Sequence, residues 1–222
     1  MEVSMHYRGR LSDTRKIRTM CDELIGIAAR MNWEWISLDE DWSVPANATV
    51  IVSTNGAEID GYLSLKGVGL TVDADSDPLQ FFFDSQGNLR DPLSQIMITE
   101  GHMEPENAWV SVKTQPSSPE THIRIVALLK YLKKYYIPDL QVFDEGEYWE
   151  TGDIEILREK MDFTDDKTES VSGAFLYISR EHVSKYSDEE LILMIEGLLR
   201  EKFDTETRVI QDVADSISDS SD

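Results

Sequence analysis

The chain has 222 residues, 41% of them hydrophobic and 29% charged, enough to build a sizeable core. Its 43 acidic residues against 21 basic ones leave a net charge of −22, which repels phosphate backbones and disfavours nucleic acid as a partner. The single cysteine, Cys21, excludes an internal disulfide and a cysteine-rich zinc site.

No membrane span is expected, because the apolar run at residues 191–195 falls far short of the ~20 residues required. The opening stretch, MEVSMHYRGR, lacks the apolar core of a secretory leader, so a cytoplasmic protein is expected.

Residues 3–8 read as a strand. Ser12 or Asp13 caps a helix to Met31, with Ile17, Met20, Cys21, Leu24, Ala28 and Met31 on one face and Asn32 as the stop signal. Cys21 on that apolar face reads as a small buried hydrophobe and not as a nucleophile. Residues 33–38 alternate as a strand and run into Asp39, Glu40 and Asp41.

The middle of the chain is rich in strand signals. Residues 49–53 form a short apolar strand before the turn pair Asn55-Gly56. Residues 62–65 and 68–72 read as a hairpin about Lys66-Gly67. Residues 79–83 and 95–99 read as further strands, with a turn at Gln86-Gly87-Asn88 between them. Short strands separated by turn residues predict an antiparallel meander.

Residues 109–113 are a predicted strand. Ser118 suits the N-cap, Pro119 the first turn and Glu120 the positive end of a helix that Pro138 follows. Its apolar face carries Ile125, Leu128, Leu129, Leu132 and Tyr136. Residues 140–143 are a short strand, and an acidic loop follows to Asp153.

Residues 153–161 read as a helix and 174–178 as a strand. Ser187 and Glu190 form a capping box for a C-terminal helix over 187–203. Residues 204–222, with six acids and one Arg, read as a flexible tail.

The segments 3–41 and 109–147 share a layout of strand, Ser-capped helix, strand and acidic end. That likeness suggests a pseudo-two-fold repeat. The fold class expected is α+β: a mainly antiparallel sheet with the two unit helices on one face, plus the C-terminal helix. Residues 1–203 are expected to be a single domain.

Charge is unevenly spread. Residues 37–108 carry 13 acids and two basics, and residues 139–170 carry 12 acids and three basics. The helix at 120–136 carries one acid and four basics, Arg124, Lys130, Lys133 and Lys134, which predicts a basic outer face.

Asp144, Glu145, Glu147, Glu150 and Asp153 make the densest carboxylate group. Such a group attracts cations or supplies paired acid and base; it is also what a solvated acidic loop looks like. Trp149 lies within it, where an aromatic ring can contribute to an interface.

Asp73, Asp75 and Asp77 mimic the first ligands of a calcium loop. Pro78 stands where that loop needs glycine, and the flanks are strands, so an acidic turn is the reading. The histidines His6, His102, His122 and His182 show no metal-binding spacing; His6 and His122 read as structural. Trp35 and Trp109 read as core residues. No nucleophile elbow, dinucleotide fingerprint or Walker A sequence is present.

The sequence thus points to a soluble acidic binding protein that engages a basic protein partner through Asp144, Glu145, Glu147, Trp149 and Glu150. Neither nucleic acid, membrane nor cofactor is expected. The alternative is a divalent-cation-dependent, hydrolase-like enzyme that uses Asp144, Glu145 and Glu147 with help from His102 or Asp39.

Overall fold

A computed structural model describes residues 3–161, apart from 54–55, 75 and 115–116. The predicted strand at 174–178, the predicted helix at 187–203 and the acidic tail lie outside the described residues.

The first strand, β1 (Ser4–Arg8), alternates strictly, with Met5 and Tyr7 buried. It is the centre of a three-stranded antiparallel sheet, between β8 (Val110–Lys113) and β9 (Gln141–Asp144). A second antiparallel sheet runs in the order β2 (Glu34–Asp39), β5 (Lys66–Thr71), β6 (Leu79–Phe83), β7 (Leu89–Arg90). A separate hairpin joins β3 (Thr49–Ser53) to β4 (Gly56–Asp60).

The two larger sheets are tied by polar links. The Tyr7 hydroxyl donates to the Gln80 carbonyl at 2.8 Å and accepts from the Gln80 N–H at 3.1 Å. Leu11 N donates to Gly87 O and Leu89 N to Gly9 O, both at 2.9 Å. The acidic turn at 73–77 joins in: Thr121 donates to the Asp73 carboxylate, and Lys113 N donates to that of Asp77. Those aspartates act as struts between segments.

Two long helices cover one face of this assembly. Helix α1 (Ile17–Met31) follows a single 3-10 turn capped by Asp13, and ends on Asn32 with φ 54°, the left-handed stop that asparagine tolerates. Helix α3 (Pro119–Tyr135) starts on Ser118, whose side chain accepts from Thr121 N. Met20, Leu24 and Ile27 of α1 and Ile125, Leu129 and Leu132 of α3 share one core with Met5, Tyr7, Val68, Leu70, Phe81 and Val112. A smaller core on the opposite face of the second sheet holds Ala48, Leu63, Leu65, Phe82 and Ile96.

The fold is thus α+β with antiparallel sheets. The two strand–helix–strand segments are not placed alike: β8 and β9 flank β1 in one sheet, whereas β1 and β2 lie in different sheets.

Several local expectations need correction. Residues 95–99 are helical, within α2 (Pro92–Thr99), because Asp91 caps that segment and Pro92 favours its first turn. Residues 62–65 are not a strand; β4 pairs with β3 instead, and Lys66-Gly67 lies inside β5.

Helix α3 does not present a simple basic outer face, since Lys130 is buried and the Lys133 ammonium donates to Leu140 O. Trp35 is 44% exposed on the edge strand β2, and Trp109 is half-buried with the Arg8 guanidinium 4.3 Å above its ring.

Candidate functional site

Beyond β9 the chain turns through Glu145, Gly146 and Glu147 into the short helix α4 (Tyr148–Thr151), then α5 (Ile154–Met161). Residues 144–153 were expected to be an acidic loop, within which α4 forms, and the helix expected over 153–161 is α5. The organiser of this stretch is Asp144, the last residue of β9, which is only 4% exposed. One carboxylate oxygen accepts from Gly146 N and the other from Trp149 N, both at 2.8 Å. His122 Nε2, from the first turns of α3, donates to the second oxygen at 3.0 Å.

Burial raises the Asp144 carboxyl, but His122 and the two backbone N–H groups outweigh it and hold it below the usual carboxylate range. The loop is therefore wound around a buried, ionised carboxylate. Glycine is needed at position 146, since a Cβ would lie 2.7 Å from Leu157 Cδ1 and 3.0 Å from His122 Cε1.

On the far side of the imidazole, Nδ1 lies 2.8 Å from Thr114 Oγ1. Hydroxyl, imidazole and carboxylate thus stand in a row, the order found in nucleophilic hydrolases. Here Thr114 and His122 are wholly buried, and the Thr114 hydroxyl also reaches the Val3 carbonyl at 3.3 Å. No substrate carbonyl can approach that oxygen, so the row is a structural fastener.

Glu145, Glu147 and Glu150 line one shallow pocket of about 400 Å³, whereas Asp153 does not. Phe143, Asp144, Glu145, Glu147, Glu150, Thr151 and Lys160 form its walls. Glu145 is braced by the Ser4 N–H, which donates to its carboxylate at 2.9 Å, and faces His6 across 4.0 Å.

Glu147 sits at φ 59°, a left-handed conformation usual for glycine, and its carboxylate pairs with Lys160 at 2.8 Å. The Glu150 carboxyl is raised, first by partial burial and then by the nearby charges of Asp144 and Glu147. Phe143 is 59% exposed and its ring stacks on His6 at 6.0 Å.

Of the five residues expected to form a site, Glu145, Glu147 and Glu150 line the pocket's open side. Asp144 is its buried floor. Trp149 turns away and packs against the main core, with the Lys130 and Lys133 ammonium groups 5.5 and 5.7 Å from its ring. Asp39 pairs with Lys66 at 2.6 Å, and His102 lies beside Glu100 on the surface; neither lines the pocket. Among the described residues, no group of three or more His, Cys, Asp or Glu side chains is placed to hold a metal ion.

Phe143 and Lys160 are the pocket residues the sequence did not single out. Phe143 stood in a predicted strand, but only the register of β9 on β1 decides that it points outward. Lys160 comes from a separate helix, and no local signal links it to Glu147.

The fold and site define an α+β protein with an acidic, aromatic-edged pocket built on the end of an edge strand. Comparison with protein-family models, with curated proteins and with solved structures found no match to this chain.

Proposed function

We propose that this chain is a non-enzymatic binding protein that engages a basic protein surface through the pocket after β9. The observation that carries the reading is the gathering of Glu145, Glu147 and Glu150 around one opening beside the exposed Phe143 ring. A Lys or Arg side chain entering there meets three carboxylates, and its aliphatic stem meets the ring. The net charge of −22 steers such a partner over longer range.

Lys160 already occupies part of this role, since its ammonium pairs with Glu147. It models the interaction in cis, and a guanidinium in trans would compete with it. The left-handed backbone at Glu147 supports the same reading. A glycine there would cost less conformational strain, so keeping a carboxylate on it is consistent with a use for that group.

The test is calorimetry of the full chain with an end-blocked hexa-arginine peptide at low and high salt. Binding is expected to weaken steeply with salt, and the triple substitution Glu145→Gln, Glu147→Gln, Glu150→Gln should reduce it at least about tenfold. Cation binding favours ionised Glu150, so affinity should rise as pH rises through its elevated range. Equal binding by the triple variant would assign the affinity to general surface charge and remove the reading.

A further inference from the structure

The strand β2 lies at the rim of the second sheet, and among the described residues it has a strand partner on one side only, β5. Edge strands of this length are normally protected by charges or proline along their middle. Three of the four middle residues of β2 are apolar, exposed Ser37 being the fourth: Trp35 is 44% and Ile36 63% exposed, and Leu38 is half-buried against the smaller core.

The register on β5 places Trp35 opposite Leu70 and Ile36 opposite Gly69. The two side chains therefore lie on opposite faces of the sheet, and an added strand would find an apolar neighbour on each. The charges stand only at the ends, Glu34 at one and Asp39, Glu40 and Asp41 at the other.

We infer that the outer edge of β2, which has no strand partner among the described residues, is a strand-addition site for an extended segment with an apolar centre and Lys or Arg at both ends. Main-chain hydrogen bonds to this edge would supply affinity, and the alternate side chains beside Trp35 and Ile36 would supply specificity. Charge complementarity identifies the occupant: Lys66 pairs with Asp39, which leaves Glu34 at one end and Glu40 and Asp41 at the other as the net negative charge an incoming Lys or Arg would meet.

A second copy of the chain is a poor occupant. Antiparallel self-pairing about the centre of β2 sets Glu34 against Asp39 twice, and like charges directly opposite are destabilising. The surface is separate from the pocket after β9 and does not rest on that pocket's function.

The experiment is fluorescence anisotropy of an end-blocked, labelled hexapeptide, Lys-Val-Thr-Val-Thr-Lys, titrated with the full chain. Saturable binding is expected. It should fall at least about tenfold when alternate peptide amides are N-methylated, and equally in Ile36→Lys, a substitution at an exposed site that should leave the fold intact by circular dichroism.

No saturable binding up to ~1 mM would overturn the inference. Equal binding of the N-methylated peptide would reduce the contact to charge alone and overturn it too. A dimer in light scattering that Ile36→Lys abolishes, without peptide binding, would assign the edge to a second copy instead.

Discussion

His122 and Asp144, 22 positions apart, meet at 3.0 Å with both side chains wholly buried, and fasten the start of α3 to the loop that carries the acidic pocket. Each half of that contact is satisfied from the other side as well, by Thr114 on His122 and by two backbone N–H groups on Asp144. A polar network that is complete in this way rigidifies its surroundings, and one that loses a member becomes a local fault.

Removing one partner should therefore cost much more than the bond itself contributes. His122→Ala and Asp144→Asn are each expected to destabilise the fold by about 3–5 kcal/mol, the range for breaking a buried pair. Urea unfolding at neutral pH measures it. The sign with pH follows from the lowered Asp144 carboxyl. Its contribution is complete above the unfolded value near ~3.9 and is lost as pH falls through the lower folded value. The stability gap between wild type and Asp144→Asn should narrow over that acidic range; a gap independent of pH would refute the assignment.

Gly67 is the second place where a small change should be felt. Its φ is 150°, and a Cβ there would overlap the Phe81 carbonyl oxygen of the neighbouring strand. Gly67 lies opposite Phe82 in the pairing of β5 with β6. Gly67→Ala is expected to lower the thermal midpoint by several degrees, corresponding to about 2 kcal/mol or more, whereas Ala at the open position Gly101 should cost less. A calorimetric scan of both variants decides it.

The third expectation concerns Glu23 of α1, whose carboxylate accepts from the Tyr131 hydroxyl at 2.8 Å and the Tyr136 hydroxyl at 2.6 Å. Burial raises both phenols, and the carboxylate beside them raises them further. Both should stay protonated well above the ordinary tyrosine range near ~10. The stability they confer is present below that value and is lost as pH rises toward their folded range. Ultraviolet titration should show a late-titrating class of tyrosines, and Glu23→Gln should move part of that class earlier. An unchanged titration in the variant would rule out the bridge.

The elements that proved legible carry short-range codes. Asp13, Asn32, Ser118 and Pro119 mark helix ends because capping and dihedral preferences act within a turn of the residue itself. The strands 49–53, 79–83 and 109–113 were readable from local alternation or apolar runs. The same local reasoning misassigned residues 95–99 as a strand, whereas the Asp91 cap with Pro92 decided for a helix. It also took Lys66-Gly67 as a turn, although that glycine serves a close crossing of strands.

By itself the sequence determined that the protein is strongly acidic, mixed α and β, built on two well-capped helices, and that its carboxylates crowd into the segment after residue 143. Only the tertiary structure decided what those carboxylates do. Asp144 became a buried anchor because His122 approaches from α3, and Trp149 joined the core because α3 lies beneath it. Glu145, Glu147 and Glu150 became one pocket because the chain winds around Asp144. Composition reports how much charge a segment holds, but whether a given carboxylate meets water or a donor depends on register and on partners distant along the chain.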